Sequence, residues 1–214
     1  MAFPKAAVFG HSWGATVALK VAARAPDRVI ALGLIDGGTS HSSGPRESDV
    51  NGRARPRNVS GRRWEFLARL RTQLSSCWNH HIERIVQTMV FEDRDGAMQD
   101  ILRPENHIQV MHAMWEEPAS QAYPKILCPT LIIPAGPRAQ QAGGERALVK
   151  QERVVAAAQA IKNSRVRWIP ETVHDIGYHK AKELAQVIRE FLGDSTPNPL
   201  GKGPLDRIRL IRDP

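Results

Sequence analysis

The chain has 214 residues, of which 42% are hydrophobic, and a formal net charge of +8. This length and composition suit one globular domain with tails and exclude a disordered or fibrous protein. No apolar run reaches the roughly 18 residues of a membrane span, and the first residues lack the layout of a signal peptide. We therefore expect a cytoplasmic protein with no membrane span.

The first part of the chain, residues 1–40, predicts a β-strand, a helix and a second β-strand. Residues 5–9 form a short apolar run, and residues 15–25 are rich in Ala, Val and Leu. Residues 29–35 form a second apolar run, which Asp36-Gly37-Gly38 closes. In a βαβ unit of this length the crossover makes the two strands parallel.

The excess of positive charge is concentrated in residues 41–63. This segment contains six arginines against two acidic residues, which accounts for half of the net charge. No aromatic residue interleaves with these arginines before Trp64, and no nucleic-acid fold signature accompanies them. We predict a flexible, solvated basic loop and no nucleic-acid partner, with weak binding to an acidic partner as the alternative.

Residues 64–123 predict a helical insertion. Apolar residues recur at helical spacing over 64–74, 82–90 and 106–117. The Met and Trp side chains of these stripes either pack a core or line an apolar substrate pocket. Four histidines of this insertion are expected at surface or hydrogen-bonded structural positions: His80, His81, His107 and His112.

Strand signals return in residues 124–193. The sequence predicts, in order, a strand, a helix, a strand and an amphipathic closing helix, at residues 129–134, 147–162, 165–169 and 181–192. Residues 194–214 hold four prolines and mixed charge, and they predict a flexible tail.

The pentapeptide Gly10-His11-Ser12-Trp13-Gly14 stands between the first predicted strand and helix. A serine hydroxyl is a poor nucleophile at neutral pH, so catalysis requires it to be exposed, beside a base, and near donors for the developing oxyanion. Glycines at both ends let a strand turn abruptly into a helix and hold Ser12 in a strained, exposed position. The helix start places the Trp13 N–H and the positive end of the helix dipole near the attacked carbonyl. The motif therefore predicts a nucleophile elbow.

Together with three other segments, this elbow resembles the α/β-hydrolase superfamily. The three segments are Leu34-Ile35-Asp36-Gly37-Gly38, Cys128-Pro129-Thr130-Leu131-Ile132-Ile133 and Val173-His174-Asp175-Ile176. The resemblance covers roughly residues 4–193. It implies the C-terminal part of an α/β-hydrolase fold, with a mostly parallel sheet, flanking helices and a helical cap insertion. It also implies that the nucleophile, the acid and the histidine follow one another along the chain in that order.

His174 is the candidate base. It lies just past the last predicted strand and before the closing helix, where the resemblance places the catalytic histidine. His179 follows about one helical turn later, so we expect it at the surface or behind the site. Asp175 points elsewhere if this segment is extended, so adjacency alone does not make it the partner of His174.

The acid departs from the commonest pattern of the superfamily. The strand at residues 129–134 runs into Ala135-Gly136-Pro137-Arg138, with no carboxylate before Glu145. Asp36 is the better candidate, because it ends the strand after the nucleophile helix, where some superfamily members place their acid. Its carboxylate can orient an imidazole and stabilise its charged form. The alternative is that Asp36 only caps the Asp-Gly-Gly turn.

The resemblance implies a serine hydrolase that acts on a carboxylic ester or related acyl bond of a small apolar substrate. Ser12 is the expected nucleophile, His174 the base and Asp36 the orienting acid. No metal or organic cofactor is implied, and Cys77 and Cys128 fit no zinc spacing.

A second hypothesis is a truncated or inactive hydrolase-like fragment with a binding role. In the superfamily the nucleophile normally follows the fifth strand, whereas here it follows the first predicted strand. We therefore expect the N-terminal strands to be absent. The strand before Ser12 is then an apolar sheet edge, which an oligomer or a partner would cover.

Overall fold

The computed structural model describes residues 4–39, 59, 61–137 and 143–195. In chain order the helices and strands are β1 (Ala6–His11), α1 (Trp13–Arg24), β2 (Val29–Ile35), α2 (Arg63–Gln73), α3 (His80–Gln87), β3 (Val90–Glu92), β4 (Met98–Asp100), α4 (Pro104–Glu116), β5 (Thr130–Ile133), α5 (Glu145–Ala160), β6 (Ser164–Val166), α6 (Ile176–His179) and α7 (Ala181–Ser195). Two 3₁₀ helices connect some of them, at Pro26–Arg28 and Ala119–Lys125. Most of the predicted basic loop, and the predicted tail beyond Ser195, lie outside the described residues. No helix in the described ranges is long and apolar enough to cross a bilayer.

Among the described residues, the main sheet has four parallel strands in the order β1-β2-β5-β6. The predicted α/β class, with a mostly parallel sheet and flanking helices, is confirmed. His11 pairs with Ile35, and Ile35 pairs with Ile133, so β1, β2 and β5 end at the same level. The residues that follow these strands therefore emerge together at one edge of the sheet. Two of them are Ser12 and Asp36.

The central strands β2 and β5 are buried on both faces of the sheet. Along β2, Leu32 and Leu34 pack on one face in a cluster that includes residues of α1 and α5, whereas Ala31 and Ile35 pack on the other with residues of α7. Side chains alternate between the two faces of a strand, so a strand covered on both sides is apolar along its whole length. Each fully buried Leu or Ile stabilises the fold by about 1.5–3 kcal/mol. This packing makes the edge that carries Ser12 and Asp36 a rigid platform.

The chain divides into two compact units. One unit, residues 1–40 and 119–214, contains the four-stranded sheet, and the other is residues 41–118. The second unit has its own small apolar cluster, which includes Phe66, Val90 and Met98. The predicted division at residues 1–40, 41–63, 64–123, 124–193 and 194–214, with a helical cap, stays a prediction.

The predicted helix at residues 82–90 is wrong at its C-terminal end. Helix α3 ends at Gln87, and Val90 begins the antiparallel hairpin β3-β4, in which it pairs with Asp100. The carboxylate of Asp93 accepts hydrogen bonds from the turn's backbone N–H groups, and Gly96 adopts φ 74°, which favours glycine. The Asp95-Gly96 pair was the sequence signal for this hairpin.

The predicted strand at residues 165–169 is shorter than expected, because β6 ends at Val166. The backbone beyond β6 nevertheless stays hydrogen-bonded to the segment that follows β5. Ile169 N–H donates to the Pro134 carbonyl at 3.1 Å, and Gly136 N–H donates to the Ile169 carbonyl at 2.7 Å. These bonds anchor the start of the segment that carries His174.

Candidate active site

Ser12 lies on a sharp turn between β1 and α1. Its backbone has φ 55° and ψ −121°, a conformation that non-glycine residues rarely adopt and that costs about 1–3 kcal/mol. The Ser12 N–H donates to the Ile35 carbonyl at 2.9 Å, which ties the turn to β2. The structure therefore has the backbone strain that the sequence predicts for Ser12. Its side chain is partly exposed.

The two glycines of the pentapeptide have different roles in the described structure. A Cβ on Gly10 would overlap the backbone carbonyl of Gly14, so only glycine lets α1 pack this closely on β1. A Cβ on Gly14 would meet no atom of the described residues within contact distance. Neither glycine adopts a positive φ, and the left-handed conformation belongs to Ser12 itself. The close approach thus depends on Gly10.

Asp36 follows β2 directly and has φ 41°, a left-handed conformation that aspartate tolerates better than most residues. Its N–H donates to the Ile133 carbonyl at 2.9 Å. The side chain is only 5% exposed. One carboxylate oxygen, Oδ1, accepts from the Ala135 N–H at 2.8 Å and lies 2.5 Å from Lys150 Nζ. The other, Oδ2, lies 2.7 Å from His174 Nδ1.

The turn after Asp36 packs against the elbow. A Cβ on Gly37 would overlap the Ser12 carbonyl, so this glycine permits the approach. The buried Tyr123 hydroxyl donates to the Gly38 carbonyl at 3.0 Å and fixes the far side of the turn. Burial raises the pKa of Tyr123, so the hydroxyl keeps its proton and stays a donor.

His174 connects the other two residues. Its Nδ1–H donates to Asp36 Oδ2, and its Nε2 lies 2.8 Å from Ser12 Oγ. Both distances are within the reach required for proton transfer. The imidazole is 52% exposed, so solvent and a substrate can reach it. The structure therefore brings together the three residues that the sequence nominated.

His11 holds the backbone of His174. Its Nε2–H donates to the His174 carbonyl at 2.8 Å, and the two rings lie 4.8 Å apart. The same carbonyl accepts from the Ile176 N–H at 3.0 Å, at the start of α6. The His11 side chain thus links β1 to the loop before α6 that carries His174, which is called the histidine loop below.

Two pKa shifts follow from these contacts. Burial by itself raises the pKa of Asp36, but hydrogen bonds from His174, Lys150 and the Ala135 N–H outweigh it and bring the pKa below its usual value. The hydrogen bond to Asp36 raises the pKa of His174 above its usual value, with support from the charges of Asp36 and Asp175. Burial and the Lys150 charge oppose that rise. Asp36 is consequently ionised at neutral pH. Its negative charge favours the protonated form of His174.

The helix start adds a donor. Helix α1 begins at Trp13, and the first backbone N–H groups of a helix have no partner within that helix. The positive end of the helix dipole lies at the same point. The Trp13 N–H adjoins Ser12 in the chain, and its role as a donor to an oxyanion stays a prediction.

Lys150 was not predicted. It lies on α5, donates to the Ala135 carbonyl at 2.8 Å, and contacts Asp36. No motif marks it in the sequence, because its approach depends on how α5 packs on the sheet.

None of the other candidate residues takes the place of Asp36 as the hydrogen-bond partner of His174 in the described structure. The alternative acid, Glu145, is exposed at the start of α5, and Asp175 precedes α6. His179 Nδ1 lies 3.0 Å from the Thr172 hydroxyl, so this histidine is hydrogen-bonded within its own segment. Among the described histidines of the second unit, His80 and His81 are exposed, whereas His107 and His112 are partly buried. No three potential metal ligands cluster among the residues that the structure describes.

Comparison with known proteins identifies relatives of this fold. The alpha/beta hydrolase family matches residues 2–187. A search among curated proteins gave no match.

Three solved structures illustrate the likeness. E-2-(acetamidomethylene)succinate hydrolase is 19% identical with a TM-score of 0.64, over 88% of this chain and 66% of that one. A thioesterase domain from the curacin biosynthetic pathway is 14% identical with a TM-score of 0.63, over 88% and 67%. The enol-lactonase from Burkholderia xenovorans LB400 is 20% identical with a TM-score of 0.56, over 89% and 66%. At these identities the likeness is one of fold, and the chain spans about two thirds of each structure's length.

Proposed function

The chain belongs to the alpha/beta hydrolase family, and we propose that it hydrolyses a carboxylic ester or a related acyl bond of a small apolar substrate, with Ser12 as the nucleophile. The observation that carries the proposal is the series of hydrogen bonds from Ser12 Oγ through His174 to Asp36, at 2.8 and 2.7 Å. A serine becomes an effective nucleophile when a base takes its proton and a third group orients that base.

In the first step, Ser12 Oγ attacks the carbonyl carbon of the substrate while its proton passes to His174 Nε2. Asp36 holds the Nδ1–H and stabilises the imidazolium that forms. The imidazolium then gives its proton to the leaving group, and an acyl-serine remains. Water attacks the acyl-serine with His174 again as the base, which releases the acid and restores the serine.

The oxyanion of each tetrahedral intermediate is stabilised at the start of α1. The Trp13 N–H donates to this oxygen, and the helix dipole favours its negative charge. Gly10 and His11 support the reaction indirectly: Gly10 permits the close packing of the elbow, and His11 holds the histidine loop.

Hydrolysis of a chromogenic ester series, together with a thioester and a lactone, tests the proposal. We expect turnover by the wild type and a loss on the order of 10⁶-fold in kcat for Ser12→Ala. Ser75→Ala, which removes the hydroxyl of an exposed serine in the second unit, is the matched control and should retain wild-type activity.

The alternative from the sequence is a non-catalytic hydrolase-like protein, and the same assay separates the two. A folded wild-type chain that turns over none of these substrates, or turnover that Ser12→Ala retains, contradicts the proposed mechanism. The expected cytoplasmic location and a partner at the β1 edge stay predictions.

A further inference from the structure

Lys150 stands behind the proposed acid, on the side away from the histidine. Its ammonium contacts Asp36 Oδ1 at 2.5 Å and donates to the Ala135 carbonyl at 2.8 Å. The side chain is 35% exposed, so the ammonium is partly solvated while the carboxylate that it contacts is almost wholly buried. A buried carboxylate is costly unless it is paired and hydrogen-bonded, and Lys150 supplies the paired charge.

The two oxygens of this carboxylate have separate partners. Oδ1 accepts from the Ala135 N–H and from Lys150, and Oδ2 accepts from His174 alone among the described residues. Two donors on one oxygen restrict rotation of the carboxylate about its Cβ–Cγ bond. The orientation of Oδ2 toward the imidazole is therefore set from the Lys150 side.

Resting on the proposed function, we propose that Lys150 is a positioning residue of the active site, whose ammonium locks Asp36 in the orientation that receives the His174 Nδ1–H. Lys150 touches neither the nucleophile nor a reacting atom. It acts through Asp36.

The lysine also has an electrostatic effect on the base. The charged groups that face His174 are Asp36 from the end of β2, Asp175 from its own segment and Lys150 from α5, and the His11 ring lies beside it from β1. Asp36 and Asp175 favour the imidazolium, whereas Lys150 disfavours it. The lysine therefore moderates the rise in the pKa of His174 and keeps more of the base neutral at a given pH.

Lys150→Met tests this role because it keeps an apolar stem of similar length and removes the charge. We expect a fall in kcat of about 10-fold to 100-fold, since a small misplacement of a catalytic group has effects of this size. The acidic limb of the pH profile should move, because Lys150 affects the pKa of His174 both by its charge and through the Asp36 hydrogen bond. KM should change little, since the role proposed for Lys150 is to act on Asp36 and not on the substrate.

Two further variants separate charge from packing. Lys150→Arg keeps the cation, and a cavity of about 70 Å³ that borders Lys150 and Asp36 gives the larger head group room, so this variant should regain most of the activity and the wild-type pH profile. Lys162→Met removes the same charge from an exposed position just beyond α5 and should leave both unchanged.

An NMR titration of the His174 imidazole gives a readout that does not require turnover. If the wild type hydrolyses nothing, the proposed function fails, yet an altered His174 titration in Lys150→Met still supports the role of the lysine. An unchanged kcat and an unchanged titration in folded Lys150→Met overturn it. If that variant does not fold, Lys150→Gln removes the charge and keeps a donor, and an unchanged titration in it overturns the proposal equally.

Discussion

The nucleophile and the acid–base group are built in opposite ways. The elbow is local: five consecutive residues carry Ser12, its close-packing glycine and the Trp13 donor. The acid–base group joins Asp36 after β2, Lys150 on α5 and His174 before α6, which meet only in the folded chain. A local turn keeps its geometry if its own residues are kept, whereas the assembled group depends on the sheet register and on helix packing.

Among the variants that separate these two parts, Asp36→Asn is expected to have the largest effect. It disrupts the acid–base group and leaves the elbow unchanged. An amide in place of the carboxylate offers a donor where the Nδ1–H needs an acceptor, so His174 is held in the wrong tautomer. We expect kcat to fall by on the order of 10⁴-fold. Circular dichroism should show a folded chain, and a fall of less than about 10-fold would mean that Asp36 only caps its turn.

The local part could largely be predicted from the sequence. The apolar run of residues 29–35 coincides with β2, and the Ala-rich run after Ser12 belongs to α1. The pattern of glycines around a serine, between a strand and a helix, indicated the turn at Ser12 because strand, turn and helix are adjacent in the chain. His174 could be nominated from its place between the last strand and the closing helix.

The assembled part could not be predicted in full. For Asp36 the sequence left two alternatives open, because the approach of His174 Nδ1 depends on a loop distant in the chain. Lys150 gave no signal, since a lysine on an amphipathic helix usually extends into solvent. The requirement for Gly10 rather than Gly14 also emerged only from the packing of α1 on β1.

A pair of glycine substitutions tests the local part. Gly10→Ala places a methyl group against the Gly14 backbone, and we expect the free energy of unfolding to fall by about 1–3 kcal/mol or more, together with loss of activity. Gly14→Ala meets no described atom and should change the free energy of unfolding by no more than ~1 kcal/mol, in the stabilising direction. Urea denaturation compares the two variants, and equal effects would contradict the difference between the glycines.

The smallest expected effect is the pH dependence of stability. It concerns both parts, because His174 contacts Asp36 as well as Ser12. The pKa of His174 is raised on folding, so its contribution to stability is present below its ordinary pKa of 6.5 and is lost as the pH rises through the folded value. Activity has the opposite trend, because Ser12 needs a neutral base.

Urea denaturation of wild type and His174→Gln, from about pH 5 to about pH 9, measures the first trend. The excess stability of the wild type should decrease with rising pH while its kcat/KM increases. An excess that grows with pH would contradict the raised pKa. The lowered pKa of Asp36 acts in a separate range, since its contribution is present above 3.8 and is lost as the pH falls through the lower folded value.

The central claim is that Ser12 is activated by His174, and covalent labelling with a fluorophosphonate tests it most directly. The probe reacts with a serine only when a base activates that serine. Mass spectrometry of the digested wild type should find one adduct per chain, on Ser12, with slower labelling in His174→Gln and none in Ser12→Ala. A folded wild-type chain without an adduct, or with its adduct on another residue, would contradict the account.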